Sequence, residues 1–190
     1  LVKSSAASDV YKRQPIFPIE EKEVPQGAIK GDYVSKTQPF PTKPAPLNPI
    51  YFDPEKAFGF TFWDRGHCKR TAKKLRNEGL FTPPSLQGSI HYPSGVGGNN
   101  WGGPAVDADR NIMVVNTNNM ASLIVMIPRE DCKKPLEELS INKNQVRFTN
   151  IESNEGAPYC NLRSMGFFSP LGVPCTEPPW GTLTAIDLNN

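Results

Sequence analysis

Pro179-Trp-Gly-Thr-Leu-Thr-Ala-Ile-Asp-Leu-Asn189 decides the reading of the fold. A tryptophan and a glycine lead into Thr182-Leu-Thr-Ala-Ile-Asp-Leu188, where small or apolar residues alternate with polar ones. The chain then reaches the turn-forming pair Asn189-Asn190. This pattern predicts one strand of a β-propeller blade running into a tight turn. In repeats of this kind the turn leads to a strand carrying a docking tryptophan. The expectation is therefore an internal fragment of a larger all-β propeller.

At the other end, Ser4-Ser-Ala-Ala-Ser-Asp-Val-Tyr-Lys-Arg-Gln14 reads as the translation of an adapter and transposon end used to prepare DNA libraries. Residues 1–14 are accordingly expected to be an artefact, and residues 15–190 to be part of a propeller domain. The formal charge of +2 belongs to the same segment, because without Lys3, Asp9, Lys12 and Arg13 the charges balance. Nothing electrostatic points to nucleic acid or to an anionic membrane. No apolar run is long enough to span a bilayer.

Twenty prolines and fifteen glycines suit a loop-rich β protein rather than a helical one. The proline-rich segment 15–50 shows little periodicity. Its interspersed Phe17, Ile29, Tyr33, Phe40 and Leu47 suggest an extended stretch lying along a surface. Residues 53–79 form the helical insertion, with Asp53-Pro54 as a capped start. A longer helix is predicted from about Asp64 to Glu78, stopped by Gly79. Cys68, Thr71, Ala72 and Leu75 share one face of it. Lys69, Arg70, Lys73, Lys74 and Arg76 fall elsewhere and read as a solvated face. Short strands are predicted at residues 89–92, 103–107, 111–116 and 121–127, joined as an antiparallel meander. Residues 128–178 read as irregular.

No nucleophile elbow, phosphate loop or zinc spacing occurs. Cys68, Cys132, Cys160 and Cys175 make no Cys-x-x-Cys pair, and the two histidines, His67 and His91, offer no metal spacing. Free thiols and three disulfide connectivities all remain open. The chemistry-bearing cluster is Tyr92-Pro-Ser-Gly-Val-Gly-Gly-Asn-Asn-Trp-Gly-Gly103. Its glycines let backbone approach a ligand closely, its asparagines donate and accept, and Trp101 adds a flat face with one N–H. Such a loop would hold a planar, carboxylated ligand by its edge. Spacing alone equally describes a glycine-rich turn around a buried tryptophan.

Longer motifs favour the ligand. Trp63-Asp-Arg-x-x-Cys68, Leu75-Arg-x-Glu-Gly-x-Phe-Thr-Pro-Pro-Ser-x-Gln-Gly88, Gly98-Asn-Asn-Trp-Gly-Gly103, Ile127-Pro-Arg129, Ser169-Pro-Leu-Gly-Val-Pro-Cys175 and Trp180-Gly-Thr-Leu-Thr-Ala-Ile-Asp187 occur in order. Val24-Pro-Gln-Gly-Ala-Ile-Lys-Gly-Asp-Tyr33 fits the same set. The chain thereby resembles the membrane-bound quinoprotein dehydrogenases of the glucose, quinate and shikimate type.

The resemblance implies an eight-bladed propeller in the periplasm, tethered to the inner membrane by helices absent here. It implies pyrroloquinoline quinone as cofactor, with a divalent cation, usually calcium. Its substrates would be a sugar, polyol or cyclic hydroxy acid, and its electrons would pass to ubiquinone. The family's catalytic aspartate, metal ligands and cofactor lysine lie upstream of the matched stretch. No catalytic or metal residue is therefore assigned, and the fragment alone is expected to be inactive. Only Asn100 and Trp101 carry over, as cofactor-binding residues. The resemblance also places Cys175 in the layer of the helix, which makes Cys68–Cys175 a candidate bridge in an oxidising compartment. The alternative is a non-catalytic propeller scaffold of the bacterial envelope. Such a scaffold would have no use for the Asn-Asn-Trp loop or the inserted helix.

Overall fold

Ile19–Glu23 (β1) and Thr37–Pro41 (β2) pair antiparallel from Ile19 opposite Pro41 to Glu23 opposite Thr37. The computed structural model describes residue 15 and residues 17–95, 98–99, 103–135, 139 and 150–189. Segment 1–14, expected to be extraneous, lies outside them. The β1–β2 pair adds strand pairing to the extended stretch expected of residues 15–50. Its prolines do not prevent pairing because this two-stranded sheet leaves half of the backbone groups unpaired. Arg76 anchors the connection between the two strands by donating to the carbonyls of Gln26 and Gly27, both at 2.7 Å. Phe40 meets Phe81 edge-on at 5.6 Å.

Asp53 caps a short 3-10 turn at Pro54–Lys56, as its sequence predicts, by accepting from Glu55 N at 2.9 Å. The α-helix, α1, runs over Phe62–Ala72 rather than from Asp64 to Glu78. It starts earlier because the Thr61 hydroxyl accepts from Asp64 N at 3.2 Å. It stops earlier because Arg76 is drawn into extended pairing. Arg76 N donates to Gly88 O at 2.9 Å, and Ile90 N donates to Arg76 O at 2.8 Å. Lys69 and Lys73 both bind Glu55, whose carboxyl they push down to about 2. The basic face of α1 is thus partly neutralised by the protein itself.

Ser89–His91 (β3), Ala105–Asp107 (β4), Ile112–Asn118 (β5) and Ser122–Pro128 (β6) occur where short strands are predicted. They do not form one meander. β4 and β5 join Gly181–Asp187 (β9) in a sheet of order β4-β5-β9. β3 and β6 join Asn150–Glu152 (β7) and Tyr159–Ser164 (β8) in a sheet of order β3-β6-β8-β7. All named pairings are antiparallel. β7 and β8 correct the irregular reading of residues 128–178. In β8, Cys160, Leu162 and Ser164 are buried in alternation, a period of two visible in Tyr159-Cys-Asn-Leu-Arg-Ser164.

The core has two adjoining parts. Phe52, Cys68, Ala72, Ile90, Leu123 and Phe167 pack between α1 and the β3–β6 edge. Val125, Ile127, Leu139, Cys160 and Leu162 continue it along the β6–β8 pair. Gly88 holds φ at +94°, a conformation that side chains rarely adopt, and packs against Leu75 just past α1. Each part holds a disulfide: Cys68–Cys175 joins α1 to the loop before β9, and Cys132–Cys160 joins the end of β6 to β8. The free-thiol alternative is thereby removed, and the Cys68–Cys175 pair is the expected one. The architecture is mostly strands with one inserted helix, as expected of an all-β chain. Among the described residues no helix is long and apolar enough to cross a membrane.

Candidate functional site

Strand β3 leads into the glycine-rich loop, and the residues from the end of β5 to the start of β6 hold its first part. Ser94 N donates to Met120 O at 2.7 Å, and Gly95 N donates to Ser122 Oγ at 3.1 Å. Further along the loop, Asn118 N donates to Gly98 O at 2.8 Å. Asn48 closes this side by donating to Asn118 O at 2.9 Å and to Asn119 Oδ1 at 2.8 Å. Asn119 in turn binds the carbonyls before β9: its side chain donates to Pro179 O at 3.0 Å and its N–H to Trp180 O at 2.9 Å.

Gly98 lies so close to Asn48 Oδ1 that any side chain there would collide with it. The glycine is required for this approach. The predicted cofactor residues, Asn100 and Trp101, lie outside the described residues. What the structure describes is the frame that precedes them: Ser94, Gly95 and Gly98, held by hydrogen bonds to the β5–β6 connection. The asparagines of that frame, Asn48, Asn118 and Asn119, did not stand out in the sequence. The available signal was the run Asn116-Thr-Asn-Asn119 between two apolar strands, where side-chain amides are placed to satisfy turn backbone.

Beside the start of the loop, between Gly79–Thr82 and Ile90–Gly95, is a cavity of about 300 Å³. Its wall includes Leu80, Phe81, Thr82, His91, Tyr92 and Ser94. Burial pushes the His91 imidazole toward its neutral form, below the ordinary histidine value. Burial, with a smaller effect from the Glu177 carboxylate, raises the Tyr92 phenol. His91 Nε2 and Ser94 Oγ are buried without a hydrogen-bond partner. Among the described residues there is no cluster of three His, Cys, Asp or Glu side chains able to hold a metal ion.

The family model for the PQQ glucose/ethanol/alcohol dehydrogenase β-propeller domain matches residues 11–190. The quinoprotein glucose dehydrogenase of Escherichia coli (strain K12) is 36% identical over 179 residues, covering 91% of this chain and 21% of that protein. The quinoprotein glucose dehydrogenase of Gluconobacter oxydans (strain 621H) is 37% identical over 179 residues, covering 91% and 22%. The quinate/shikimate dehydrogenase (quinone) of Acinetobacter baylyi is 31% identical over 179 residues, covering 92% and 21%. The chain therefore spans about a fifth of the length of these relatives. No solved structure matches it. With the model matched over nearly the whole chain, which is built mostly of strands, the chain belongs to the PQQ-dependent dehydrogenase β-propeller family.

Proposed function

We propose that this chain forms part of a pyrroloquinoline quinone-dependent dehydrogenase that oxidises a sugar, polyol or cyclic hydroxy acid and passes the electrons to ubiquinone. The family match over residues 11–190 carries this reading. We place the enzyme at the periplasmic face of the bacterial inner membrane, with membrane association through parts outside this chain. Two disulfides support an oxidising compartment.

The described residues before Asn100 are held by neutral groups: Gly98 packs against the Asn48 amide, which is itself bonded to Asn118 and Asn119. In this reading Asn100 and Trp101 hold the quinone on the frame set by Asn48, Asn118 and Asn119. When bound, the quinone supplies the two-electron oxidant and a divalent cation, calcium, polarises it. This chain's own task is to orient the cofactor and to shield one side of it from water. Residues that hold the metal or take the substrate proton are not assigned here.

The test uses the full-length protein, loaded with pyrroloquinoline quinone and calcium. Dye reduction is followed with glucose, glycerol and quinate in turn. Reduction that depends on added quinone, with at least one of the three, is expected. Folded, loaded protein that reduces no dye with any of them would overturn the reading.

A further inference from the structure

We infer that the outward face of α1, with the neighbouring Leu171, is a docking surface for an anionic phospholipid bilayer. The inference rests on the membrane placement proposed above and adds a contact made by this chain itself; the dehydrogenase chemistry does not enter it. Four large apolar side chains project here: Phe60, Phe62, Trp63 and Leu171 are between 62% and 73% exposed. The Phe62 and Trp63 rings lie 4.2 Å apart between centroids. Phe60 and Leu171 are held together by the buried Asp64, whose carboxylate accepts from Phe60 N at 3.2 Å and from Leu171 N at 3.4 Å. Grouped apolar surface of this kind is unfavourable in water and marks a protein or membrane contact.

Charge and shape decide between the two. Burial of Asp64, Cys68, Thr71 and Ala72 turns Phe62, Trp63, Gly66, Lys69, Arg70 and Lys73 away from the core at 3.6 residues per turn. Arg70 folds back over Gly66 toward the aromatic end, its Nη1 3.0 Å from where a side chain on Gly66 would begin. Between Asp53 and Arg76 there are seven basic residues and three acidic ones. Of the acidic ones, Asp64 is buried, and Glu55 is shared by Lys69 and Lys73. The even charge of the chain as a whole hides this local excess. Aromatic rings at the tip of a basic helix fit the layered edge of a bilayer: the rings enter between headgroups and the cations meet anionic phosphates. A bilayer accepts projecting rings without a matching pocket, whereas a protein partner has to supply one. With 11 residues, α1 is too short to cross, so the contact is peripheral.

The experiment uses the full-length protein with a photoreactive phenylalanine analogue in place of Phe62. It is mixed with vesicles of phosphatidylethanolamine and phosphatidylglycerol, or with vesicles of phosphatidylcholine alone. After irradiation, mass spectrometry should find phospholipid attached at position 62 in the anionic vesicles. The same analogue in place of Tyr33, which is 83% exposed but lies on the β1–β2 connection, should give none. Arg70→Glu with Lys74→Glu, both at exposed positions, should lower the yield at position 62 by at least about fivefold, the worth of one surface cation. Attachment to another part of the polypeptide, or to a second copy, would make the patch a protein contact and overturn the inference. So would equal yields in the two kinds of vesicle, or equal yields at positions 62 and 33. Full-length protein that floats with the vesicles yet gives no lipid adduct at position 62 sinks the inference and leaves the membrane placement. Protein that does not float sinks both, and quinone-dependent dye reduction is untouched by either outcome.

Discussion

Cys68 on α1 and Cys175 in the loop before β9 are joined across 107 residues of sequence, and both are fully buried in the larger core cluster. Phe58 N donates to Cys175 O at 2.8 Å, and Cys175 N donates to Phe167 O at 2.8 Å, so the backbone of the bridge is also held. The bond ties the inserted helix to the segment that feeds the last strand.

Removing that bond should cost more than removing the other. A cross-link stabilises mainly by restricting the unfolded chain, and more so for a longer loop. Cys132–Cys160 closes only 28 residues. Cys68→Ala/Cys175→Ala should lose about 2–5 kcal/mol, roughly 1 kcal/mol more than Cys132→Ala/Cys160→Ala. Urea melts of the two double variants measure the difference. Non-reduced peptide mapping of the parent chain should recover both bridged pairs and no free thiol.

The frame of the glycine-rich loop is tested by a double-mutant cycle. Gly98→Ala drives a methyl into Asn48 Oδ1 and should destabilise by about 1–3 kcal/mol, as overpacking does. Asn48→Ala leaves Asn118 O and Asn119 Oδ1 without this donor and should cost about 1–2 kcal/mol. In the Asn48→Ala background the added methyl has room, so the pair should cost clearly less than the sum of the singles. Additive losses in thermal melts would show that the two residues do not meet.

Acid should destabilise the chain partly through His91. Burial holds its folded pKa below the ordinary 6.5, and Tyr92 is the other titratable residue lining its cavity. Above that ordinary value both folded and unfolded chains carry neutral His91, and its contribution is complete. As pH falls below it, the unfolded chain takes up the proton first, so stability is lost as pH drops toward the folded value. His91→Gln should flatten stability between pH 7 and pH 5 relative to the parent. Glu55, with a carboxyl near 2, stays ionised throughout that window and does not confuse the slope. Urea midpoints at the two pH values decide it, and an unchanged slope in the variant would clear His91 of the effect.

What could be read from sequence follows from locality. The last strand alternates cleanly over Gly181–Asp187, and its period survives in the structure as alternating exposure. The Asp53-Pro54 start depends on one side chain and its neighbour, so it is legible too. The end of α1 is not, because Gly88 and Ile90, more than ten residues away, pull Arg76 out of the helix. The division of four predicted strands between two sheets is equally invisible locally, since β8 and β9 supply the partners. β8 itself lies hidden among glycines, prolines and asparagines, yet Cys160 and Leu162 carry its buried face. At the site, the glycine-rich loop is a sequence feature. Asn48, 70 residues from Asn118, becomes its brace only through the fold.

Trp101 gives the sharpest test of the cofactor assignment. The stretch leading to it is held from outside, at Ser94, Gly95 and Gly98. Those contacts use backbone and neighbouring side chains, so they do not depend on the indole. Replacing Trp101 with alanine in the full-length protein removes a large rigid surface and one N–H donor. Truncating an aromatic that serves only as core costs about 3–5 kcal/mol of stability. If the indole serves the quinone instead, the apo-protein should melt close to the parent temperature and the loss should appear as weaker cofactor binding. Fluorescence titration of pyrroloquinoline quinone into Trp101→Ala, beside thermal melts of the apo form, separates these outcomes. Unchanged quinone affinity with a large fall in apo melting temperature would make Trp101 a core residue and remove it from the site. Asn100→Ala under the same protocol should weaken quinone binding less, because it removes hydrogen bonds and little surface.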